Sequence, residues 1–146
     1  MRIAIITTSQ VPSITANSIQ VMKVCQAYSQ LGHDVTLVVP EIKRVSWDEI
    51  AHLFGISSKF KIKYFPTIKI FKRYDFVILN GFYLLLQKFD LVHTWMPQIA
   101  NLSGFLKIPY IMELHGLPTG RFGPEIHKKI LFSKHKKRFL CITHAL

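Results

Sequence analysis

The sequence predicts a single-domain, doubly wound, parallel α/β sheet. Short β-branched apolar runs alternate from end to end with segments whose apolar residues recur at three- and four-residue steps, the periods of buried strands and one-sided helices. Strand and helix taking turns in this way favours parallel strands joined by helical crossovers. The 146 residues are enough for one core, and with 49% hydrophobic and 18% charged residues the chain has the composition of a globular protein.

RIAIITT (residues 2–8) is the first expected strand. After a polar loop, Asn17 or Ser18 can cap a helix carrying Val21, Val24, Cys25, Tyr28 and Leu31 on one side, and Gly32 stops it. Asp34 to Val39 forms the next strand, closed by Pro40, and a short helix is expected around 47–54. In KFKIKYF (59–65) Lys59, Lys61 and Lys63 alternate with Phe60, Ile62 and Tyr64, the period of a strand with one wet face. A helix over about 74–87 precedes the strand FDLVHTW (89–95), and Pro97 opens a helix ending near Leu106. The strand beginning at Tyr110 runs into Glu113 and His115. Pro124 starts a basic helix through about Lys137, and RFLCIT (138–143) is the last strand.

Charge restricts the partners. Nineteen basic against eight acidic residues give a net charge of +11, so the surface should attract phosphates. Residues 59–73 and 121–138 are the most basic segments. In the second, Ile126, Ile130 and Leu131 form an apolar edge beside lysines, which suits either an anionic membrane surface or a solvated outer helix. Nucleic acid is disfavoured, because the aromatic rings of KFKIKYF recur at the period of a core-facing strand. Cys25 and Cys141 have no CxxC spacing and lie in apolar patterns, as expected of reduced core cysteines in a cytosolic chain. The N-terminal apolar run is too short for a signal peptide, and no run reaches the ~20 residues of a membrane span.

In a doubly wound sheet ligands bind beyond the carboxyl ends of the strands. That rule selects the loop after Thr8, His93 to Met96, Glu113 to Arg121, and Thr143 with His144. His115 is either an imidazole facing a substrate hydroxyl or a structural histidine holding a loop, and Glu113 could orient it or bind a hydroxyl itself. Gly116, Gly120 and Gly123 with Arg121 form a loop whose amides and guanidinium could receive a phosphate or a sugar. The small residues from Ser13 to Ser18 offer amides at a helix start. There is no P-loop, GxGxxG fingerprint, GxSxG elbow or metal-ligand spacing. His52, His127, His135 and His144 look like solvated or loop residues.

The N-terminal forty residues, FDLVHTW, PYIMELHG and the closing CITHAL together resemble the N-terminal, Rossmann-like domain of family 4 glycosyltransferases, enzymes of the GT-B architecture. The resemblance implies that His115 and Gly116 lie near the transferred sugar. By the same token Ser13, Thr15 and Asn17 would lie near the donor phosphates or acceptor, and His93 and Trp95 would line the acceptor side. With Gly120, Arg121 and Thr143 these are the candidate substrate-binding residues; His115 and Glu113 are the candidate catalytic pair. Where the family commonly has a Gly-Gly pair, this chain has Ile14-Thr15-Ala16-Asn17. The family's second domain carries two glutamates separated by seven residues; Glu41 and Glu49 have that spacing but follow the second strand, so the match is chance.

The resemblance thus implies that residues 1–146 are an acceptor-side half without the nucleotide-sugar-binding domain. The expected activity is transfer of a hexose from a nucleotide-sugar, a substrate rather than a cofactor, to a glycan or lipid-linked acceptor, with no metal. A truncated or split chain would need a second glycosyltransferase half, in the cytoplasm or peripheral on the inner face of the membrane. The competing expectation is a non-catalytic module that binds a glycan, an anionic membrane surface or a partner subunit.

Overall fold

The computed structural model describes residues 1–68, 74–116 and 123–141. In chain order they form β1 (Arg2–Ile6), α1 (Ala16–Gln30), β2 (Asp34–Pro40), α2 (Trp47–Phe54), β3 (Lys61–Phe65), α3 (Tyr74–Leu86), β4 (Leu91–Thr94), α4 (Pro97–Phe105), β5 (Tyr110–Leu114), α5 (Gly123–Phe132) and β6 (Lys137–Cys141). The strands make one sheet in the order β3-β2-β1-β4-β5-β6, and every pairing is parallel. This is the expected Rossmann-like α/β architecture. The chain winds outward one way from β1 and then returns to β4 to wind the other way, so the switch point lies between β1 and β4.

Both faces of the sheet are covered, which is why the central strands are apolar without alternation. On one face Ile3, Ile5, Val35 and Leu37 pack against Val21, Met22 and Cys25 of α1 and Ile50 and Phe54 of α2. On the other, Ala4, Ile6, Val38 and Val92 meet Phe76 and Leu84 of α3, Ile99 and Ala100 of α4 and Ile130 of α5. The edge strands β3 and β6 are only half-covered and carry Lys61, Lys63, Lys137 and Arg138. Charge on an edge discourages pairing with another chain.

Some boundaries differ from the sequence-based expectation. Thr15, not Asn17 or Ser18, caps α1; its hydroxyl accepts from the Ser18 N–H. Ser18 is buried, with its own hydroxyl given to the Gln10 carbonyl at 2.6 Å. The helix starting near Pro124 ends at Phe132 rather than Lys137, and Lys137 opens β6. Lys137 folds its ammonium back onto the carbonyls of Ile130, Leu131 and Ser133, satisfying the helix end. The apolar edge of α5 is turned largely inward: Ile130 is buried and Ile126 packs on the core. Cys25 is a core residue as expected, but Cys141 is exposed, because β6 is an edge strand. No helix among the described residues is long and apolar enough to cross a membrane.

Candidate functional site

Strand alternation puts His93 of β4 and Glu113 of β5 on the same face, because His93 lies opposite Ile111 in the register and Glu113 follows two residues later. His115, two further on, leaves the strand end toward solvent with its side chain 27% exposed. Glu113 itself is only 4% exposed. A buried carboxylate needs donors, and three converge on it. His115 Nε2 lies 2.9 Å from Oε2, Gln20 Nε2 donates to the same oxygen at 2.8 Å, and His93 Nε2 lies 2.9 Å from Oε1. The His93 ring N–H is not aimed along that line, so the contact is a close electrostatic one rather than a well-directed hydrogen bond.

Behind His93 stands Tyr28 of α1, its hydroxyl 3.2 Å from Nδ1 and its ring set edge-on to the imidazole. An ionised carboxylate only accepts, so Glu113 assigns the proton of neutral His115 to Nε2 and leaves Nδ1 as an acceptor. The contact with His93, followed by that with His115, holds the Glu113 carboxyl below its ordinary range although burial acts the other way. Burial and then the Glu113 charge raise the Tyr28 hydroxyl.

Gln20 ties this cluster to the start of α1, so the first loop and the end of β5 form one corner. There Ser13 is half-buried and accepts from the Thr15 N–H at 3.4 Å, while Thr15 and Asn17 are exposed. Trp95 closes the corner on the β4 side, its ring centre 5.4 Å from that of His115. Trp95 also lines an open groove of about 320 Å³ with Thr8, Tyr74, Val77, Met96, Pro97 and Gln98. Gly116 follows His115 in open space. His93 is buried behind Glu113 and reaches neither groove nor solvent. Gly120, Arg121 and Thr143 lie outside the described residues.

Gln20 and Tyr28 are the participants that the sequence reading did not single out. By sequence Tyr28 is one more apolar position of α1. The available signal was its row: Gln20, Val24 and Tyr28 are spaced four apart and so share one side of the helix. The Glu113 carboxylate is taken up by His93, His115 and Gln20, and no group of His, Cys, Asp or Glu among the described residues is placed to hold a metal ion.

A parallel sheet of this order, with a His-Glu pair at the end of β5, is the setting in which the comparisons with known proteins apply. The model of the family described as Glycosyltransferase Family 4 matches residues 18–146. The chain belongs to glycosyltransferase family 4. No curated relative matches it. Among solved structures, MurG of Acinetobacter baumannii superposes with a TM-score of 0.57 at 11% identity, over 88% of this chain and 39% of MurG, a likeness of fold. The family 4 chain thus spans well under half of the MurG chain. MnaA of S. aureus, solved with UDP, gives a TM-score of 0.41 at 17% identity over 85% of this chain and 30% of its own. DNA processing protein A from Helicobacter pylori gives 0.44 at 12% identity over 88% and 72%. Neither of these weaker superpositions adds to the argument.

Proposed function

We propose that this family 4 chain is the N-terminal, acceptor-side half of a glycosyltransferase that moves a hexose from a nucleotide-sugar to a glycan or lipid-linked acceptor. The observation that carries the proposal is the corner built by Gln20, Glu113 and His115 at the carboxyl edge of the sheet. His115 is the residue that meets substrate, its free Nδ1 accepting from a sugar hydroxyl. Glu113 is too buried to reach a hydroxyl and acts as a positioning residue, fixing the tautomer and direction of the imidazole. The exposed start of α1 supplies amides for the donor diphosphate or an acceptor anion, and Trp95 gives the acceptor an apolar wall. Glycosyl transfer also needs the leaving diphosphate stabilised by further donors or cations. We assign these to a second, nucleotide-sugar-binding domain, a reading supported by the short span relative to MurG.

The test is calorimetric titration with UDP- and GDP-sugars, together with turnover, for the chain alone and joined to a candidate second half. Weak donor binding alone and turnover only in the joined form are expected, with His115→Ala lowering kcat/KM by about 100-fold. Tight donor binding by the isolated chain would instead overturn the reading of an incomplete cleft and point to a self-sufficient domain.

A further inference from the structure

Helix α3 is apolar on both sides. Phe76, Asn80 and Leu84 are buried, Phe76 and Leu84 within the core against the sheet. On the opposite side Tyr74, Ile78, Phe82, Leu85 and Leu86 are between 52% and 79% exposed. A helix lying between sheet and water ordinarily carries charge on its outer side, yet the only charged residue of α3 is Asp75, in its first turn. The next helix continues the pattern: α4 carries no charged residue and ends on Phe105, 78% exposed. Phe132, at the end of α5, is 80% exposed. Since the crossover helices run antiparallel to the strands, these three C-terminal ends share one end of the sheet.

That end is basic. Lys88, Lys107, Lys134 and Lys136 follow the three helices and are all exposed. The acids of this layer lie elsewhere or are engaged: Asp75 and Glu125 occupy first turns at the other end, and Asp90 accepts from the Arg2 backbone N–H at 2.7 Å. An apolar field of this extent exceeds the scattered exposure of an ordinary surface.

We infer that the outer side of α3, with Phe105, docks on an anionic lipid bilayer. The apolar side chains would enter the headgroup and acyl boundary while the lysines meet lipid phosphates. Charge decides against a second copy of the chain as the occupant, because each copy carries a net charge of +11 and would meet its like. The basic helix α5, which by sequence suits either a membrane surface or solvent, has its apolar edge largely taken by the core. The inference stands on α3 and its rim and does not require glycosyl transfer. Joined to the proposed function it favours a lipid-linked acceptor, because Tyr74 belongs both to this side of α3 and to the groove beside Trp95.

The test is flotation of the full chain with vesicles of phosphatidylcholine alone or mixed with phosphatidylglycerol. Binding only to the anionic vesicles is expected, weakening as salt is raised. Each of Lys88→Gln and Lys107→Gln should lower affinity about fivefold, and the triple variant Ile78→Ser, Phe82→Ser, Leu85→Ser should abolish flotation while its circular dichroism stays native. Should the triple variant misfold, the lysine variants still decide. Absence of wild-type flotation, flotation unchanged in the lysine variants or a folded triple variant, or a dimer that the triple variant dissociates would each overturn the inference.

Discussion

At the scale of single residues, Glu113 couples the corner to stability as well as to geometry. Its carboxyl titrates below the ordinary range because His93, and then His115, favour the charged form. A depressed folded-state value means that the contribution is fully present above the unfolded value of about 4.3 and is lost as pH falls through the lower folded value. Glu113→Gln should therefore cost about 1–3 kcal/mol at neutral pH, the penalty for breaking a buried polar network. Denaturant unfolding over a pH series should show the gap to wild type closing as the solution is acidified. A gap that stays constant into strong acid would mean that the loss is one of packing rather than charge. Glu113 and His115 were legible in the sequence because alternation along a strand puts residues two apart on one side, at the end where ligands bind. Gln20 was not, since its contact with Glu113 spans 93 positions and no local pattern encodes it. His93 was legible as a strand-end residue, but its burial depends on the register between β4 and β5 and on Tyr28 arriving from α1.

Among the elements, α2 depends most visibly on its ends. Ser46 accepts from the Glu49 N–H at 3.2 Å while Glu49 returns a carboxylate to the Ser46 N–H at 3.0 Å, a complete capping box. Gly55 closes the helix in the left-handed region at φ 58°, where a side chain is strained. Ser46→Ala should lower stability by about 1 kcal/mol in chemical unfolding, with Glu49→Ala in the same background adding little because the two act as one unit. Independent, additive losses would mean that the reciprocal bonds are not coupled. Periodicity and turn residues together located the elements, but they could not fix ends decided by competition. At α1 Asn17 and Ser18 compete with Thr15 for the cap, and Ser18 is withdrawn because the Gln10 carbonyl takes its hydroxyl. At α5 the lysine run continued a helical pattern on paper, yet Lys137 serves better as the first residue of β6 with its ammonium returned to the helix end. The exposed side of α3 was missed for a different reason. A helix that is apolar all round gives no sequence sign of which side faces the sheet.

For the whole molecule, the decisive feature is that one sheet supports two cores. β1 lies at the centre and alternates between them: Ile5 belongs to the side covered by α1 and α2, and Ile6 to the side covered by α3, α4 and α5. Neither layer of helices can keep its apolar surface from water without the strands that the other layer also needs. Separation of the layers would expose β1 on one face and break its pairing with β2 and β4. Unfolding should accordingly be a single cooperative transition. Ile5→Val and Ile6→Val remove one methylene each from opposite cores, and each should lower that transition by about 1 kcal/mol. Fluorescence and far-ultraviolet circular dichroism, followed together through a denaturant titration, should give coincident curves for both variants. If Ile5→Val moved an early phase and Ile6→Val a late one, the two helical layers would be separate folding units joined at β1.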